Sequence, residues 1–300
     1  MEIGVGLDGR LGLGLEDVRD LAREAARRGY ASVWTPYATF DPFVLCTEWW
    51  RACDLATGVA VIPLSVIGSP VALAKSGTTV AAVTGGRFRL GVGSGTIREI
   101  AVVRERLEAL RGLVGRVPPV YLGALGPRML RLAGELADGA ALNWCSAEHV
   151  AWSRERVAEG ARRARRDPRG VLLHEYVRVC VDEDEDAAGL VVARAVLSYA
   201  LRPPGAPAGA YRAHFERMGF GEPLAELEAR RDRGASEDEL ARAIAPALLA
   251  RVAAWGRAAR VRDGFRRLAQ GLDVAVARIL VTRPGDADGA IAAIEACRPS

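Results

Sequence analysis

The stretch Thr84-Gly85-Gly86-Arg87-Phe88-Arg89-Leu90-Gly91-Val92-Gly93-Ser94-Gly95 decides the fold. Two glycines stop a helical pattern, Arg87–Val92 reads as a strand, and the strand runs straight into a glycine-rich turn. Upstream, Pro70–Thr84 predicts a helix. Downstream, Ile97–Val114 predicts another, and Pro118-Pro119 introduces a strand over Val120–Gly123. Strand, helix and strand in that order make a parallel βαβ unit.

The same unit repeats in both directions. Ile3–Leu7, Ala31–Trp34 and Thr57–Ile62 read as the first three strands, Gly139–Asn143 and Val171–Val181 as the sixth and seventh, and Val276–Val281 as the eighth. Helices are expected over Leu15–Arg28, Phe43–Cys53, Pro127–Leu136, Ala147–Arg165 and Asp286–Cys297, with a mostly helical region over Glu183–Gln270. About eight units in 300 residues suit an α/β fold of the (β/α)8 TIM-barrel kind, which usually needs about 250 residues. The barrel is expected to carry a helical insertion before its last strand and a single helix over Ile97–Val114 after its fourth. An open doubly wound sheet is the architectural alternative. Arg202–Glu228 is rich in Pro, Gly and aromatic residues and reads as an excursion, so residues 1–300 are expected to form one domain.

Composition narrows the function. Lys+Arg number 41 against 37 Asp+Glu, a net charge of +4 that says little about partners. The arginines at 162, 163, 165 and 166 fall at helical spacing and read as a solvated face. No basic patch interleaved with aromatics argues for nucleic acid. Cys46, Cys53, Cys145, Cys180 and Cys297 include no CxxC pair, which predicts reduced thiols. With no signal peptide and no apolar run of about 20 residues, a cytoplasmic protein without membrane contact is expected. His149, His174 and His214 have no partner at metal-ligand spacing, so no metal is predicted and each reads as structural.

In a parallel barrel, chemistry collects at the carboxyl ends of the strands. After the second strand come Tyr37, able to stack on a ring, and Asp41, the loop's only carboxylate, which equally suits a helix N-cap before Pro42. After the third, small residues around Ala60 and Val61 would let a planar ring approach the backbone. After the fourth, Gly93, Ser94, Gly95 and Thr96 resemble a phosphate-cradling turn, with the next helix adding its positive end. After the fifth, Gly123, Ala124, Gly126, Pro127 and Arg128 combine a tight turn, a proline suited to the first helical position and a guanidinium: an anion site. With few acids or bases at the strand ends, a bound cofactor is expected to carry the chemistry.

These pieces, with Gly29–Trp34, Thr84–Gly95 and Pro119–Gly139 in order, resemble the luciferase-like monooxygenases, especially the deazaflavin-dependent branch that contains methylenetetrahydromethanopterin reductase. The resemblance implies coenzyme F420, or alternatively FMN, at the carboxyl end of the barrel, with its phosphate at the loops Gly93–Thr96 and Gly123–Arg128. It implies a non-prolyl cis peptide at Ala60–Val61 backing the ring, a polar side chain toward the cofactor at Glu99, and, in place of the family's usual proton donor, Tyr37 or Asp41 or else a proton from substrate or water. It implies hydride transfer between F420 and a small organic substrate, and leaves room for a homodimer. The alternatives are an FMN-dependent monooxygenase using O2 and a cofactor-binding paralogue without turnover, which the segment between Glu99 and Pro118, shortened relative to the family's usual one, favours.

Overall fold

The computed structural model describes residues 1–66, 69–203 and 209–299. Its strands are β1 (Glu2–Gly6), β2 (Ser32–Thr35), β3 (Ala56–Pro63), β4 (Phe88–Gly93), β5 (Val120–Gly123), β6 (Gly139–Asn143), β7 (Leu172–Val181), β8 (Ala253–Gly256) and β9 (Val274–Leu280). All pair in parallel, and the ring runs β1 to β7 and then through β9 back to β1, closing an eight-stranded barrel. A helix follows nearly every strand, which makes this a (β/α)8 barrel.

One strand departs from expectation. The region Glu183–Gln270 is not helical throughout, because β8 lies inside it. Ala253-Ala254-Trp255-Gly256 is too short for a periodicity signal and starts with two residues of low strand preference. It forms because β7 outlasts β6. The same edge of β7 pairs with β6 up to Tyr176 and with β8 from Arg178 onward. The insertion's other described residues are mostly helical and, with Trp255 of β8, bury a core of their own that includes Phe215, Phe220, Leu224 and Leu240. Of the excursion Arg202–Glu228, residues 204–208 lie outside the described part.

The barrel's lower half is solid. Arg89 grips both carboxylate oxygens of Glu2 at 2.5 and 2.6 Å. Above them Trp34 fills the axis, its ring 4.3 Å from that of His174 and 6.0 Å from that of Tyr121. That indole explains two glycines: a Cβ at Gly58 would sit 2.4 Å from it, and one at Gly4 3.0 Å. Toward the carboxyl end the facing residues become small, among them Ala60, Gly93, Gly123 and Ala141, and the barrel opens.

Two contacts fix the helix that follows β5. A Cβ at Gly160, in helix Ala147–Arg163, would lie 1.9 Å from the Arg131 carbonyl oxygen, and one at Gly134, in helix Pro127–Leu136, 2.0 Å from that of Val157. The arginine run is only partly a solvated face. Arg162, Arg163 and Arg165 are exposed, whereas Arg166 folds back and donates to the Gly134 and Ala137 carbonyls at 2.8 and 2.7 Å, closing the carboxyl end of helix Pro127–Leu136. All five cysteines are free. No described helix is long and apolar enough to cross a membrane.

Candidate active site

A cleft of about 510 Å³ opens at the carboxyl ends of the strands, within the size range of small-molecule and cofactor sites. Its floor is a bulge in β3. Val59 pairs with Leu90 and Ile62 with Val92, so Ala60 and Val61 together face the single residue Gly91. A Cβ at Gly91 would lie 2.2 Å from the Val59 carbonyl oxygen, which is why glycine stands there. The Ala60–Val61 peptide is cis. Val61 projects into the cleft between two glycines: a Cβ at Gly93 would be 2.7 Å from a Val61 methyl, and one at Gly123 3.4 Å.

The two glycine-rich turns meet at this cleft. Gly93, Ser94 and Gly95 line it beside Gly123, Ala124, Leu125 and Gly126, with Ala60 and Val61 beneath and Tyr37 on the rim. Helix Pro127–Leu136 starts here with Gly126 as N-cap and no side-chain cap, so its first amides are open to an anion. The turn after β4 works differently from expectation. Its helix starts at Ile100 rather than Ile97, because Ser94 accepts through its carbonyl from Ile97 and the Ser65 hydroxyl accepts from the Thr96 amide at 3.1 Å, holding a separate turn around Gly95. The positive helix end therefore stands away from the glycines.

The remaining expected residues lie outside the cleft lining. Asp41 caps helix Pro42–Cys53, accepting from the Phe43 and Val44 amides at 2.9 and 3.0 Å. Thr96 and Glu99 are exposed, Glu99 at the N-cap of helix Ile100–Val114. Pro127 occupies the first helical position and Arg128 is exposed in the same turn. A guanidinium does touch that turn, but it belongs to Arg217, from the insertion, which donates to the Leu125 carbonyl at 3.0 Å.

Sequence reasoning missed the other side of the mouth. Arg10, Asn143, Tyr176, Arg178, Tyr211 and Arg278 also line the cleft. A signal existed: a charged residue inside an apolar strand is rarely buried without a role, and Arg178 and Arg278 are each buried within one. Cys145, His149 and His214 correct another expectation. Cys145 and His149 are close in sequence and His214 is far from both, yet the three bring candidate ligand atoms within 4.8 Å of one another. His214 already contacts the Trp144 carbonyl through Nε2 at 3.0 Å, and the nearby Arg217 charge disfavours a cation.

All three histidines are held neutral. Burial drives His174 and His214 down to about 3 and His149 to about 4, from an ordinary 6.5. Burial pushes the Glu175 carboxyl up from 4.5 to about 8. Below pH ~6.5 the unfolded chain protonates three imidazoles that the folded chain does not, so stability falls with acid. Glu175 works the other way between about 4.5 and 8, where only the folded chain holds its proton. Unfolding near pH ~5.5 is therefore expected to take up about two protons, and stability to fall by about 3 kcal/mol per pH unit. Urea unfolding across that range checks it; a stability that is flat or rises toward acid contradicts it.

The profile of the luciferase-like monooxygenase family matches residues 3–111 and 98–274. The two pieces overlap at the single helix joining β4 to β5, where the shortened segment lies. The 5,10-methylenetetrahydromethanopterin reductase of Methanolobus tindarius is 28% identical over 225 residues, spanning 57% of this chain and 65% of that protein. The enzyme of the same name from Archaeoglobus fulgidus is 30% identical over 162 residues, spanning 42% and 49%. The chain thus spans less than two thirds of the length of these relatives. Among solved structures, the coenzyme F420 dependent tetrahydromethanopterin reductase from Methanopyrus kandleri superposes with a TM-score of 0.73 at 18% identity, covering 98% of this chain and 96% of that one. The EDTA monooxygenase of Chelativorans sp. superposes with a TM-score of 0.62 at 14% identity, covering 100% and 95%. A family profile covering most of the barrel, on a fold of the same architecture, places this chain in the luciferase-like monooxygenase family.

Proposed function

We propose that this protein is an oxidoreductase that moves hydride between coenzyme F420 and a small organic substrate held in the cleft. The observation that carries this reading is the convergence of the Gly93–Gly95 and Gly123–Gly126 turns on one space floored by Val61. The residues fit the group. A flat ring needs a bare, apolar floor, which the bulge supplies, and an anionic tail needs open amides, which helix Pro127–Leu136 supplies. The solved reductase named as coenzyme F420 dependent, together with the sequence relatives named as methylenetetrahydromethanopterin reductases, supports F420 over FMN.

When bound, F420 supplies a ring carbon that gives or takes hydride. The chain's own residues do the rest. The two turns would hold the tail, Val61 would set the depth of the ring, and the packed Trp34 layer would close the barrel beneath it against water. A substrate reduced there would need one proton besides the hydride, and of the two expected donors Tyr37 lines the cleft whereas Asp41 is committed to its helix.

Titrating the purified protein with F420 and with FMN, followed by spectrum and oxygen uptake, tests this. F420 is expected to bind at micromolar concentration, and its reduced form to persist in air. Tight FMN binding with oxygen uptake supports the monooxygenase instead. Binding without reduction by any donor supports a paralogue without turnover. Binding of neither below about millimolar, a free energy of roughly −4 kcal/mol, overturns the reading.

A further inference from the structure

Three guanidinium groups face the cleft from Arg10, Arg178 and Arg278, and among the described residues no carboxylate lines it. Arg178 and Arg278 are register partners on the neighbouring strands β7 and β9. Two like charges side by side on paired strands cost stability. One carboxylate offsets part of this. Asp8 forms a buried ion pair with Arg278 and lies 3.8 Å from Arg10 Nε.

Arg178 forms no ion pair among the described residues. It is 6% exposed, donates only to the neutral Asn143 side chain and Tyr176 carbonyl, and lies 4.2 Å from the centre of the Trp144 ring. Arg278 Nη1 is buried with no acceptor among the described residues. The local field is positive enough to act on a neighbour. Burial raises the Tyr199 hydroxyl, yet Arg178, Arg10 and Arg278 together outweigh it and hold that group below its usual range. A buried guanidinium without a counter-charge is costly. Nothing in the packing of the barrel requires one here, and the planar fork of arginine matches an oxyanion. The group stands across the mouth from the glycine turns, since β7, β9 and the loop after β1 lie opposite β3 to β5 in the ring.

We propose that the substrate of this site is a small organic oxyanion, a carboxylate or a phosphate ester, whose charged group docks among Arg10, Arg178 and Arg278 with its other end toward the Val61 bulge. This rests on the hydride-transfer reading, which places the cofactor tail at the glycine turns.

Calorimetric titration with inorganic phosphate and with acetate, each with and without saturating F420, tests the proposal. At least one anion is expected to bind the wild-type protein at millimolar concentration or tighter, with F420 present as well as absent. Arg178→Met is expected to weaken it at least tenfold, with F420 affinity changed less than threefold and partial recovery in Arg178→Lys. Arg10→Gln, at the exposed rim, is expected to weaken it at least threefold and serves if Arg178→Met fails to fold. No binding of either anion, or equal binding by these variants, overturns the proposal. So does competition between phosphate and F420 with a matching loss of F420 affinity in Arg178→Met, which would give the arginines to the cofactor tail. Failure of F420 to bind while the anion still binds sinks the hydride reading and leaves the anion pocket standing.

Discussion

Replacing Gly160 by valine is expected to cost about 3–5 kcal/mol of stability, at the upper end of what overpacking does. The Cβ alone would sit 1.9 Å from the Arg131 carbonyl oxygen and 2.7 Å from its carbon. Both partners are backbone, so no rotamer change relieves the clash and the two helices must separate. For a chain of this size, each kcal/mol moves Tm by roughly 2–4 °C, so a fall of about 10 °C in a thermal scan is the expected result. A change under about 2 °C would show that the helices are not in contact as described. The consequence reaches the site, because the helix pushed away is the one whose open amides border the cleft.

Most of the barrel was legible because its units are short, regular and punctuated. Val120–Gly123, Pro127–Leu136 and Gly139–Asn143 form the elements expected of them to the residue, each bounded by Pro or Gly signals. What failed was non-local. β8 exists only because β7 overhangs β6, and no window of sequence contains that fact. The site divides the same way. The glycine turns announce themselves within a few residues, whereas Arg178 and Arg278 become neighbours only through strand register, and Arg217 takes the place expected of Arg128 only because the insertion folds back over Leu125.

Gly123→Asp is the sharper test of the cleft. Gly123 is half-buried at the end of β5, and a Cβ there meets the Val61 methyls at an ordinary 3.4 Å, so the fold has room for the side chain. Its carboxylate would stand where the cofactor's anionic tail is proposed to lie. Two like charges about 4 Å apart repel by about 4 kcal/mol at an effective dielectric near 20, and salt screens part of that. F420 affinity is expected to fall at least about 30-fold, with Tm nearly unchanged. Gly123→Asn, of the same shape without the charge, is expected to lose far less. Equal losses in both would make the effect steric rather than electrostatic.

The central claim is that the turns after β4 and β5 hold one tail together, and hydrogen exchange read by mass spectrometry reports on both at once. Saturating F420 should slow exchange across residues 91–96 and 121–130 of the wild-type protein and leave both segments of Gly123→Asp unprotected at the same concentration. Protection confined to one turn, or appearing only around Arg178 and Arg278, would contradict the account.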